Sequence, residues 1–393
     1  MSCYNFQRTT TRRQMLHQSA AGFGGVAFAA MAARQAAADV AQADALPGGS
    51  GLHFPARAKR IIFLFMWGGP SHVDLFDPKP RLNQEAGKPL SGSSVGVEKP
   101  SLGKVLGSPF QFQQYGQGGV WISELFPELA RHADELCVIR SMHTEGSAHG
   151  EALLRLHTGQ ANLVRPSVGA WISYGLGSEN ENLPAFVTIS PPRGHGGVQN
   201  YGSAFLPAKH QGTAIGSAEI PIAQAVVSNL DNSRYSRTSQ RRQLDLVQSL
   251  NRQHLRTLGF DSTVEGLIAN YELAYRMQSE VPEVMDTDSE SKATQRLYGI
   301  GDEPTDNFGR QCLLARKLAE RGVRYIQVST DYTWDHHKKV VEGSKTEAAK
   351  VDRPIAGLLE DLARRGLLDD TLVLWGAEFG RTPTVENVDG RNH

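Results

Sequence analysis

Net charge is what this 393-residue chain lacks most plainly, because 41 Lys and Arg residues face 41 Asp and Glu residues. That balance leaves no overall field to draw in nucleic acid or an anionic membrane, so recognition driven by bulk charge is excluded. Cysteine is also scarce. Cys3, Cys137 and Cys312 share no metal-type CxxC spacing, which excludes a cysteine-ligated zinc module. Cys137 and Cys312 sit in apolar surroundings and read first as two buried free thiols and second as one disulfide in an oxidising compartment. There is no GxxxxGK[ST] loop, and the Gly194–Gly197 run (GHGG) matches no phosphate-loop spacing. The apolar stretch from Ala20 to Ala33 is too short for a membrane span. Aromatic residues such as Trp171, Tyr174, Tyr271 and Tyr275 read as core, not as a binding platform.

What is present begins at the N-terminus. Arg12 and Arg13 precede the Ala20–Ala33 stretch, and small-residue sites follow at Ala36-Ala37-Ala38 and Ala41-Gln42-Ala43. Charged, then apolar, then small is the order of a secretory signal, and the arginine pair points to the twin-arginine route. The expectation is that residues 1–45 form a leader and linker removed on export. The export machinery is then a partner, and the mature chain is periplasmic or extracellular. That route carries folded proteins, which suits a metal site filled beforehand.

From residue 56 the punctuation is that of one α/β domain. Arg60–Met66 (RIIFLFM) is a continuous apolar run, which predicts a buried strand before Trp67-Gly68-Gly69. Ser123–Ala133 has helical spacing, and Leu136–Ile139 predicts a second strand. Leu183–Ser190 predicts another. Phe308–Arg321 predicts a helix stopped at Gly322, and Val323–Val328 a strand. A helix starting at Pro354 and stopped at Gly366 then leads into a strand over Thr371–Trp375. Repeated helix–turn–strand units predict a mostly parallel sheet with helices on both faces. Residues 240–300 read as a helical insertion, and Pro191–Gly216 as a long Gly-rich excursion of the kind that carries function.

Ligands in such sheets bind beyond the carboxyl ends of the strands. Ser71, His72, Asp74 and Asp77 follow the first predicted strand. His143, Thr144, Ser147 and His149 follow the second, Asp331, Asp335, His336 and His337 a later one, and Glu378, Arg381 and Thr382 the last. His393 closes the chain. Imidazoles with carboxylates are ligands for zinc, manganese or similar divalent ions, and Asp335 with His337 can reach one ion from a single loop. Ser147 and His149 lie where a helix begins, in the field of unpaired backbone N–H groups. Ser147 reads first as a helix cap and second as a nucleophile. Arg381 reads either as a clamp for phosphate or sulfate or as a residue that orients Glu378.

Several segments carry a resemblance: KRIIFLFMWGGPSHVDLFDPKP, GVWISELFPELARHADELCVIRSMHT, RPSVGAWISYGLGSENENLPAFV, FGRQCLLARKLAERGVRYIQV, TWDHH and GLLDDTLVLWGAEFGRTP. Together with the leader, they resemble domain-of-unknown-function family 1501, which is classed with the alkaline-phosphatase-like superfamily. The resemblance implies an alkaline-phosphatase-like core and hydrolysis of phosphate or sulfate esters, small or polysaccharide-borne, with no nucleic acid involved. It also implies a divalent cofactor (Zn, Ca, Mg or Mn) and a Ser, Thr or formylglycine nucleophile at a helix N-terminus. Carried over by position, Asp335 and His337 look like a metal pair, Asp74 and Glu378 like acidic ligands, and His393 like a late histidine ligand. The nucleophile position falls on or near His149, with Ser147 and Arg381 beside it as the other catalytic candidates. No Ser, Thr or Cys stands at that position itself. Relatives continue past the position of His393, so the resemblance implies that the C-terminal part of the sheet is truncated here. The alternative reading is an exported, non-catalytic binding or scaffold protein that retains the fold.

Overall fold

Apolar alternation in RIIFLF sets the architecture. Strand β1 (Arg60–Phe65) sends Ile62 and Leu64, followed by Met66, into one core, and Phe63 and Phe65, followed by Trp67, into another. A strand buried on both faces must be covered on both faces, and it belongs in the interior of a parallel sheet. The computed structural model, which describes residues 56–90, 103–225, 227, 234–258 and 262–393, has that form. Arg12, Arg13 and Cys3 lie outside the described residues.

After β1 come a hairpin, β2 (Phe112–Tyr115) with β3 (Val120–Ser123), and then helices α1 (His149–Thr158) and α2 (Val168–Leu176). Strands β4 (Phe186–Ile189) and β5 (Thr213–Ile215) follow. Helices α3 (Arg237–Leu258) and α4 (Ser262–Met285) make up the helical insertion. Helix α5 (Asp306–Glu320) leads to β6 (Tyr325–Ser329), and α6 (Val340–Arg364) to β7 (Thr371–Gly376). A short hairpin, β8 (Val385–Glu386) with β9 (Gly390–Arg391), closes the chain. The main sheet has the order β5-β4-β6-β1-β7, and every pair in it is parallel.

Leu153 of α1 and Val168 and Ile172 of α2 pack on the Phe63–Phe65 face. Leu314 of α5 and Val351 of α6 pack on the Ile62–Leu64 face. The chain therefore leaves β1 over one face and crosses β1 again, from β6 to β7, over the other. Right-handed crossovers in opposite directions require this, and they open a crevice beyond the carboxyl ends of β1, β6 and β7. Among the described residues no helix is long and apolar enough to cross a membrane.

Four expectations are corrected. Leu136–Ile139 is extended but pairs with no strand. Ile139 is 64% exposed and Cys137 is exposed, so only Cys312 is the expected buried thiol. Both sides of β1 are taken by β6 and β7, and an apolar run of four residues carries no information about which edge is free. The helical spacing in Ser123–Ala133 yields only a short 3-10 helix, Leu129–Glu135, after the end of β3. Pro354 does not start α6 but lies inside it. Buried Val340, Ala348 and Val351 anchor the earlier turns, so packing outweighs the lost N–H.

Buried histidines give the fold a pH dependence. His157 accepts from the Gln327 side-chain amide (2.9 Å) at Nε2 and donates from Nδ1 to the Leu153 carbonyl (2.8 Å). Burial pushes its pKa down to about 4, and does the same to His210, whose Nδ1 meets Ser173 Oγ at 2.9 Å. The unfolded chain therefore binds more protons than the native one between pH 6.5 and pH 4. Stability falls as pH drops through that window, by about 1.4 kcal/mol per pH unit for each histidine. Asp352, pushed up to about 6 by burial, acts in the opposite sense and offsets part of this. Urea midpoints measured from pH 7 to 4.5 should fall, and fall less steeply in His157→Gln. An equal slope in that variant would contradict the assignment.

Candidate metal centre

Two glycines let three strand ends meet. Gly68 and Gly69, just after β1, have positive φ values of 115° and 70°. A Cβ on Gly68 would lie 2.8 Å from the Asp335 backbone nitrogen, and one on Gly69 would lie 2.6 Å from the Phe379 ring. Only glycine tolerates both the conformation and the approach. The loop after β6, carrying Asp335 and His337, and the loop after β7, carrying Glu378, are thereby drawn onto the end of β1.

One ligand atom from each of His149, Asp335, His337 and His393 falls within 4.8 Å of the others. His149 is the first residue of α1 and is buried. Its Nδ1 lies 2.8 Å from Glu378 Oε1, which also accepts the Gly68 N–H at 2.9 Å. His337 Nδ1 lies 2.5 Å from Glu386 Oε2, and His393 Nδ1 meets the Ser147 carbonyl oxygen. In all three rings Nδ1 faces an acceptor and donates to it, which leaves Nε2 as the nitrogen that turns a lone pair to an ion when it gives up its own proton. Carboxylate or carbonyl on one nitrogen and a bare lone pair on the other is the arrangement of metal-ligating histidine. The His149 and His393 ring centroids are 4.8 Å apart, and those of His337 and His393 4.9 Å apart.

Asp335 is the hub. His337 Nε2 is 3.0 Å from Oδ1 and His149 Nε2 3.4 Å from Oδ2, and Tyr332 donates to Oδ2 at 2.8 Å. Burial opposes its charge, but His149, Arg381 and Tyr332 outweigh burial and hold the carboxyl well below the ordinary range. For His149 burial again opposes charge, and the facing carboxylates of Asp335 and Glu378 overcome it, so its pKa is raised. His393 is lowered by burial and by the neighbouring His149 charge. Two atoms of this cluster and its neighbour are buried without a hydrogen-bond partner, His149 Nε2 and Glu378 Oε2. Orphaned buried donors and acceptors are expensive, and a cation would engage both kinds of lone pair. The donor set of three imidazoles and a carboxylate, with Glu378 beside it, fits a divalent ion of the zinc or manganese type.

The other sequence-predicted residues have different surroundings. Asp74 is fully buried in a two-pronged pair with Arg391, at 2.7 and 3.0 Å, and is not in the cluster. Arg381 does not pair with Glu378. Its guanidinium donates to the Gly68, Gly69 and Arg391 carbonyls and to Asp335, and its side chain is buried. With those donors taken, it orients Asp335 and does not face open solvent. Ser147 is not the cap of α1, because that position belongs to Ala148, which makes no side-chain cap bond.

Sequence reasoning missed Glu386, Tyr332 and His195. Glu386 reaches His337 from a hairpin 49 positions away, and no local pattern marks that. His195 was in view within GHGG, but only as a failed phosphate loop. A family model described as a protein of unknown function (DUF1501) matches residues 58–393. No curated protein matches the chain, and no solved structure does.

Proposed function

The chain belongs to the DUF1501 family of proteins of unknown function, and we propose that it is an exported, metal-dependent hydrolase of phosphate or sulfate esters with an alkaline-phosphatase-like core. The observation that carries this reading is the convergence of ligand atoms from His149, His337 and His393 on Asp335, each ring held by an acceptor at Nδ1. His149, Asp335, His337 and His393 would hold the ion, with Glu378 at hand. A divalent ion bound there would supply Lewis-acid polarisation and neutralise charge developing on an attacked ester.

The chain's own groups support the remainder. The N-terminus of α1 turns unpaired backbone N–H groups and the positive end of the helix dipole toward the crevice, which favours an anionic substrate. Arg381 and Tyr332 fix Asp335, and Glu378 holds the His149 ring at Nδ1. The first position of α1 is His149, not a hydroxyl or thiol, so the attacking group in this reading is water and no covalent enzyme ester forms. Polysaccharide esters outside the cytoplasm are the proposed substrates.

Purified chain supplied with Zn2+ or Mn2+ should hydrolyse an aryl phosphate or aryl sulfate, and Asp335→Ala should lower kcat by more than about 100-fold. Metal-loaded chain inert toward both ester classes would leave a non-catalytic binding protein as the better reading.

A further inference from the structure

The GHGG segment has no part in the ligand cluster, yet it is held against it at the expense of backbone strain. His195, Gly196 and Gly197 all have positive φ, 48°, 100° and 49°. For histidine that conformation is costly and persists only where surrounding contacts enforce it. Those contacts are present. Buried Asn200 donates from Nδ2 to the His195 carbonyl at 3.1 Å, and a Cβ on Gly150 of α1 would lie only 3.9 Å from the His195 Cα. The His195 ring stacks on His149 with centroids 5.3 Å apart and lies 5.2 Å from Tyr332.

The chemistry of this ring is opposite to that of its neighbours. His195 Nδ1 accepts a hydrogen bond from Trp67 Nε1 at 3.2 Å. An indole nitrogen can only donate, so Nδ1 must be bare and the ring proton must sit on Nε2. Protonating Nδ1 as well would set two N–H groups against each other. The three clustered histidines face acceptors at Nδ1, whereas His195 accepts at Nδ1 and presents its N–H at Nε2. No described residue takes that proton, and the ring is half-exposed beside the cluster.

We propose that His195 is a substrate-binding residue, a neutral imidazole whose Nε2–H donates to a non-bridging oxygen of the tetrahedral phosphate or sulfate group, with its tautomer fixed by Trp67. This rests on the ester-hydrolase reading and names a donor within it. Backbone N–H groups of α1 and the His195 N–H then approach the anion together, while the ligand cluster takes the cation. Strain at residue 195 is the means of placing a rigid donor at that point.

The test uses the full chain loaded with Zn2+ and inorganic phosphate, with sulfate in a parallel titration, read by calorimetry. His195→Ala should weaken anion binding by about ten- to a hundredfold, the range of a hydrogen bond to a charged group. His195→Gln, whose amide reaches the former Nε2 position, should recover most of the loss although it suffers the same backbone strain. Zinc content should be unchanged in both. Ring 15N shifts of His195 should report a bare Nδ1 and a protonated Nε2. Equal anion affinity in wild type and His195→Ala, or a proton on Nδ1, would overturn this role and leave the hydrolase reading standing. A wild-type chain that holds zinc but binds neither anion would overturn both.

Discussion

Arg391→Met should destabilise the protein by about 3–5 kcal/mol, the range for stranding one partner of a buried ion pair. Both side chains of the Asp74–Arg391 pair are 0% exposed. Asp74 Oδ2 also accepts from Ser71 at 2.5 Å, and Arg391 donates to the Leu106, Thr382 and Gly107 carbonyls. With the guanidinium gone, the carboxylate loses its countercharge while shut off from bulk solvent. Removing both charges relieves that penalty, so Asp74→Asn with Arg391→Met should cost clearly less than the sum of the single changes. Denaturant titrations of the four forms read the coupling, and strict additivity would contradict it. The consequence extends to the site. Arg391 stands two residues before His393 and ties β9 to the segment after β1, so its loss should also loosen the His393 contact with Ser147.

The second large effect is linkage between metal and stability. An ion that binds the native state alone stabilises it by about 2.7 kcal/mol at one hundred times its dissociation constant. For a domain of this size that raises Tm by roughly 4 °C. Asp335→Ala with His337→Ala should abolish the rise, because it removes the hub carboxylate and one of three Nε2 donors. The same double variant should also lower Tm without metal, since the buried Arg381 loses its carboxylate partner. The two effects separate when each form is scanned with and without ion. A full metal-dependent shift in the double variant would place the ion elsewhere.

How much of this was legible depended on whether a signal was local. Strands β1, β4, β6 and β7 announced themselves, because apolar runs such as RIIFLF fit nothing else bounded by loops of that kind. Parallel topology then put the residues after β1, β6 and β7 on one rim, and that is where Asp335, His337 and Glu378 meet His149. Leu136–Ile139 shows the limit of the same signal, since apolarity marks a wish for burial and not a partner. Long-range polar pairing was not legible. Asp74 and Arg391 are 317 positions apart, and neither sequence context distinguishes a buried ion pair from a metal ligand or a solvated charge. Glu386 and His195 were missed for the same reason, because their meaning lies in His337 and Trp67, which only folding brings near.

The central claim is a single divalent-cation site at the carboxyl edge of the sheet. The most direct measurement is metal content after equilibrium dialysis of metal-stripped chain against micromolar Zn2+ or Mn2+. The account requires about one ion per wild-type chain and none in Asp335→Ala with His337→Ala. A wild-type chain that retains no ion, or a double variant that retains one, would contradict it.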